Sequence, residues 1–209
     1  MKKIFLASLA FLGLCLPALA DSPATSTTFS EAYQDLPLIV EAQGSHVLTP
    51  AMAAFLSDAA QPLDQRLALV NALGWKFEGQ NNAALWLKHL QTLRNQPGAR
   101  PEQLALSAEE QLFLGYLMVL DDYFHPRPGV QWVRRGARQL WQSQSAQLVL
   151  AIVEAQDYIN RAKLWCQIWL QTERALNNPR LNADLRPQAR NVIVEYLQLY
   201  QPYCNGEKP

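Results

Sequence analysis

Few residues in this chain are suited to chemistry. The run Asp121-Asp122-Tyr123-Phe124-His125 sets carboxylates three and four residues from an imidazole. That spacing can share one helix face, as zinc and iron sites require. The competing reading is a solvated helix end ahead of Pro126, although acidic side chains there oppose the helix dipole. His46 and His89 stand alone, with no second ligand at helical spacing, so no metal centre is expected. Glu109, Glu110, Asp121 and Asp122 could supply a general acid and base, which need one shared cleft and pKa values driven apart. Capping and first-turn charge explain Glu109 and Glu110 more simply. Neither a Gly-x-Ser-x-Gly elbow nor a Ser-x-x-Lys occurs after residue 20. No catalytic residue and no cofactor is expected.

Arginine carries the second constellation. Residues 21–124 hold five Lys and Arg against twelve Asp and Glu, a net of −7. Residues 125–190 hold ten basic side chains against four acidic, a net of +6, and nine of the ten are arginines. Arg134, Arg135 and Arg138 fall on one predicted helix with Trp132 and Trp141 close in sequence, and these five are the candidate partner-binding residues. The planar guanidinium fork suits carboxylates and phosphates, so the partner surface would be an acidic protein, a lipid headgroup or an anionic envelope polymer. Ordinary solvated helix faces, or pairing between the two halves, are the alternatives.

The beginning of the chain sets the compartment. Lys2 and Lys3, an apolar run over 4–16 and Ala18-Leu19-Ala20 form a secretory signal peptide with cleavage expected after Ala20, which places the mature protein in the periplasm. The run is too short for a permanent span, since roughly 20 apolar residues are needed. Leu14 stands where a lipoprotein signal wants a small residue before Cys15. Without Lys2 and Lys3 the 18 basic residues fall to 16 against 18 acidic, a net of −2, which disfavours nonspecific nucleic-acid binding. The apolar run at 112–120 is too short to cross a bilayer, so no transmembrane span is expected after cleavage. Cys166 and Cys204 form an even pair, read as one disulfide in an oxidising compartment. Two buried thiols are the alternative, and the close spacing of a redox-active pair is lacking.

These groups must be carried by helices, because apolar residues recur at three and four spacing and no stretch alternates as a strand does. Residues 21–28, rich in Ser and Thr, read as a flexible leader, with a single all-helical domain over 29–209. A first helix is expected near Ser30, then helices over 51–60, 63–73 and 82–94. Ser107-x-x-Glu110 is a capping box for a helix running to Tyr123, stopped by Pro126 and Pro128. Further helices are expected over 130–141, 146–158, 161–176 and 188–201. The fold class is all-α, with eight or nine short helices stacked as antiparallel hairpins, an array or an irregular bundle.

Three segments resemble one another. Gln65-Arg66-Leu67-Ala68-Leu69, Gln111-Leu112-Phe113-Leu114 and Gln147-Leu148-Val149-Leu150 open helices that end at Trp75, Tyr123 and Tyr158. The helices that follow carry Leu85-Trp86-Leu87-Lys88, Gln131-Trp132-Val133-Arg134 and Leu164-Trp165-Cys166-Gln167. The pattern over 63–176 resembles tetratricopeptide-type helical hairpins, although the tryptophan spacings of 46 and 33 residues depart from a regular period. The resemblance implies a concave face that recognises a peptide or partner protein, and no catalysis. The expected function is therefore an exported binding or scaffold protein that recognises a protein or peptide of the cell envelope through a groove between hairpins. An envelope hydrolase or its accessory subunit, using 109–125, is the alternative, and a periplasmic chaperone a further one.

Overall fold

Small polar residues and prolines open most of the helices. The structure, a computed structural model, describes residues 22–74 and 79–206. The signal peptide, its cleavage point after Ala20 and the aromatic Trp75 lie outside those residues. Ten α-helices and no β-strand occur among the described residues: α1 (Pro23–Ser26), α2 (Pro37–Ser45), α3 (Pro50–Ser57), α4 (Leu63–Leu73), α5 (Asn82–Leu93), α6 (Ala108–Asp121), α7 (Arg127–Gln139), α8 (Gln144–Tyr158), α9 (Trp165–Asn177) and α10 (Pro187–Leu197). Single 3-10 stretches at Phe29–Tyr33, Pro101–Gln103, Ala162–Leu164 and Gln198–Asn205 join them. The hydroxyls of Thr49, Ser107 and Ser143 accept from the backbone N–H of Met52, Glu110 and Ala146, which caps α3, α6 and α8.

The fold is all-α as the periodicity predicts, with differences at the front and at the prolines. The helix expected near Ser30 is a 3-10 turn, and α2 follows it from Pro37, where the fixed φ of proline suits a first helical turn. The helix expected to run to Tyr123 and stop at the prolines ends earlier, at Asp121, and Pro126 and Pro128 instead open α7. Composition predicts a flexible leader over 21–28, yet residues 22–28 are seated on the domain. Ala24 and Thr27 are buried. The Ala24 N–H donates to Gln156 Oε1 at 3.1 Å, the Ser22 hydroxyl donates to the same oxygen, and Gln156 Nε2 donates to the Tyr123 carbonyl at 3.0 Å. Asn71 continues the network, with Nδ2 donating to the Thr27 carbonyl at 2.9 Å and Oδ1 accepting from Ser30 N–H at 2.8 Å. Buried amides on distant helices hold this polar segment on the domain.

Two helices, α6 and α8, are buried nearly all round and form the core. Along it, α6 with α7, α7 with α8 and α8 with α9 pack as successive neighbours. The α6–α7 pair is antiparallel and very close. A Cβ added to Gly115 would lie 2.5 Å from the Gly129 carbonyl oxygen and 2.6 Å from Val133 N, and one added to Gly136 would lie 2.5 Å from the Ala108 carbonyl oxygen. Here glycine is required because backbone meets backbone.

The first and last elements also meet. The 29–33 turn packs against both α4 and α10. Arg186 donates to Asp35 at 2.5 and 3.0 Å, reaches the Ala32 carbonyl at 3.0 Å and lies 4.3 Å over the Tyr33 ring, while Tyr33 donates to Asp64 at 2.7 Å. A linear repeat array lacks such closure, since each unit touches only its neighbours. Cys166 and Cys204 are joined, with Cα atoms 4.6 Å apart. Their bond holds the C-terminal 3-10 segment on α9, where Trp165 meets Tyr200 and Tyr203 edge-on at 5.8 and 4.7 Å.

Gly115→Ala is expected to lower stability by about 1–3 kcal/mol or more, as overpacking does, seen as a lower urea midpoint. Gly44→Ala in α2, where an added Cβ meets nothing within 4 Å, is expected to be neutral or slightly stabilising. Equal effects would show that the close helix contact is not what matters. Cys204→Ser, or reduction of the wild type, is expected to cost about 4 kcal/mol in the chain-entropy account. Unfolding curves of oxidised and reduced protein that coincide would contradict this.

Candidate functional site

The carboxylates that a hydrolase would use point to separate tasks. Glu109 pairs at 2.8 Å with Arg66, a guanidinium only 3% exposed that also stacks 5.3 Å over Phe113. Glu110 closes the capping box by accepting from Ser107 N–H at 2.8 Å, and it takes Arg94 at 2.8 and 2.6 Å. Asp121 receives the first N–H groups of α5, from Asn82 at 3.1 Å and Ala83 at 2.8 Å. Burial raises its carboxyl above the ordinary range and the two backbone bonds pull it back. Asp122 holds the exposed ring of His125 at 3.0 Å. The structure thus gives each carboxylate its own partner and does not gather the four in one cleft. Among the described residues no group of three His, Cys, Asp or Glu side chains could hold a metal ion.

His46 ends α2 in the left-handed conformation at φ 56, with Nδ1 3.0 Å from the Leu73 carbonyl oxygen. Sequence reading missed one contact with chemical potential, because its members are 32 residues apart. The Ser57 hydroxyl sits 2.9 Å from His89 Nε2, a nucleophile-to-base distance. His89 also stacks on Trp86 with ring centroids 5.6 Å apart, and burial lowers its pKa. No carboxylate among the described residues pairs with His89, so the third member that would orient the base is lacking. The contact ties α3 to α5.

The arginines of α7 do not make one face. Arg134 turns to α8, where its Nε donates to Glu154 and a terminal nitrogen reaches the Tyr158 hydroxyl at 3.4 Å. Arg135 lies 4.8 Å over the Trp132 ring, on the side of α7 that faces Glu102 and Leu106. Arg138 is exposed and has no ion pair among the described residues. Successive helical positions turn by about 100°, so Arg134 and Arg135 diverge despite adjacency in sequence, and Trp141 lies beyond the end of α7.

Trp141 does reach a site. It lines an open groove of about 270 Å³ together with Gln147, Leu150 and Glu154 from the α8 side and Gln171 and Arg174 from α9. Trp141 is 51% exposed, an unusual state for the largest side chain. Glu154 is 7% exposed and is compensated by Arg134. Arg174 is exposed and has no carboxylate partner among the described residues. Gln171 Oε1 is fully buried and accepts no hydrogen bond. A buried acceptor without a donor costs about 1–3 kcal/mol. An aromatic wall, an unfilled acceptor and a spare guanidinium can hold a ligand, and they lack the paired acid and base of a hydrolytic site. Gln171 and Arg174 carry no signal in the sequence, where they are two polar residues of an amphipathic helix.

No protein family, curated protein or solved structure matches this chain. The groove itself therefore has to carry the functional reading.

Because burial favours neutral His89 in the folded protein, the unfolded state takes up the proton first as pH falls below the ordinary value of about 6.5. The contribution of His89 is whole above that value and shrinks below it. Urea midpoints measured from neutral to mildly acid pH are expected to fall more steeply in the wild type than in His89→Gln. Parallel curves would refute the assignment.

Proposed function

We propose that this is an exported, periplasmic binding or scaffold protein that takes a segment of a cell-envelope protein or peptide into the groove between α8 and α9. The observation that carries this reading is the groove itself, where half-exposed Trp141 stands with Gln171, a partly buried residue whose Oε1 has no hydrogen-bond partner among the described residues. Such an atom is left unsatisfied at a cost, and a turn of the Gln171 side chain that brings it to a ligand donor recovers that cost. A peptide backbone offers an N–H at every residue. Trp141 adds wide contact area with few rotatable bonds, the property that concentrates binding energy on tryptophan at interfaces. The carboxylates available for hydrolysis are engaged by helix ends and arginines, and this weighs toward binding over turnover.

The test is selection of a displayed random peptide library on residues 21–209, repeated with Trp141→Ala and Gln171→Leu. Enriched peptides are expected to perturb tryptophan emission and to lose about tenfold in affinity to each variant. Gln171→Leu is expected at the same time to hold or raise the urea midpoint, because removing an unsatisfied buried group relieves the fold. Failure to enrich any peptide, or binding undiminished in both variants, would overturn the proposal.

A further inference from the structure

Resting on the reading of this groove as a peptide site, we infer that the segment it takes is acidic, with Arg174 receiving a carboxylate and Gln171 a backbone N–H. The charge around the groove is the basis. Glu154, the acid in its wall, is already neutralised by Arg134. The other acids of the basic half are mostly engaged too. Asp157 is shared by Arg127 and Arg161, and Asp184 accepts from the N–H of Ser145 at the start of α8. Glu173 neighbours Arg174 in sequence and does not line the groove. Arg174 thus stands on the wall as a cation without a carboxylate. Arg138 and Arg180 are exposed with no ion pair among the described residues, and Arg180 lies two residues past Asn178, which lines the groove.

Nor does the acidic half of the chain quench this field. Among the described residues a single ion pair between an arginine and a carboxylate joins the two halves, that of Arg186 with Asp35. Arg66 and Arg94 pair within the acidic half, and Arg127, Arg134 and Arg161 within the basic half. The imbalance read from the sequence therefore persists in the folded molecule. With Glu154 compensated, Arg174 is the uncompensated charge of the groove lining, and such a charge attracts ligands of the opposite sign.

The groove asks for three things in one ligand: a hydrogen-bond donor for a buried oxygen, an acceptor for a guanidinium, and apolar surface for Trp141 and Leu150. An extended segment that alternates Asp or Glu with aliphatic residues supplies all three. A membrane surface would meet the exposed arginines alone, whereas a peptide segment meets the groove lining as well. That combined demand favours a peptide.

Pools of short randomised peptides, matched in hydropathy and sorted as acidic, neutral and basic, are titrated against residues 21–209, with phosphatidylglycerol vesicles as a separate probe. The acidic pool is expected to bind about tenfold more tightly than the neutral pool, with the margin narrowing as salt rises. Arg174→Gln, an exposed change expected to leave stability unaltered, should erase that margin while keeping residual binding to all pools. Gln171→Leu should weaken every pool alike. Equal binding of acidic and neutral pools, or preference for the basic one, overturns the acidic assignment while the peptide site stands. Binding of no pool, with or without binding of the vesicles, overturns the peptide site and this inference together.

Discussion

How near α7 can come to α6 decides much of this molecule. Gly115, Gly129 and Gly136 remove the side chains that would hold the two backbones apart, and dense dispersion contact replaces them. Once α7 is seated there, Val133 and Ala137 face the core, and the rotation of the helix is set. Arg134 then points to α8 and meets Glu154, while Arg135 and Trp132 pair on the other side. The fates of the arginines follow from a contact in which no arginine takes part.

Charge is managed in a related way. Arg66 is almost wholly buried, and it persists there because Glu109, the Leu56 carbonyl and the Phe113 ring surround it, with one nitrogen left unpaired. Taking two charges out of water is costly, and attraction between them offsets that only with good geometry. The acidic half achieves this locally, through neighbouring helices. The basic half has fewer acids than cations, so after its internal pairs are made a surplus of guanidinium groups faces solvent around α7, α9 and the connector after it.

Much of the architecture was legible, for local reasons. The helix over 63–73 stands at the expected residues, and the Ser107 and Glu110 capping box and the cysteine pair act over short range or by simple parity. What was not legible depends on distant partners. Ser22 and Ala24 look like a solvated leader until Gln156 is known to be buried beside them, more than 130 residues away in sequence. Arg134 looks available until α8 brings Glu154 against it, 20 residues on. Gln171 is the extreme case, because a missing hydrogen bond is a property of an environment and leaves no trace in composition.

The meeting of the first and last described segments gives this part of the chain the topology of a clasped ring. Ser22 is held by α8 from the middle of the chain, the turn at Phe29–Tyr33 is held by α10, and the tail is fastened to α9 by a covalent link. Neither the first nor the last described segment can peel away alone without breaching the buried centre, so local opening at either is coupled to loss of the core.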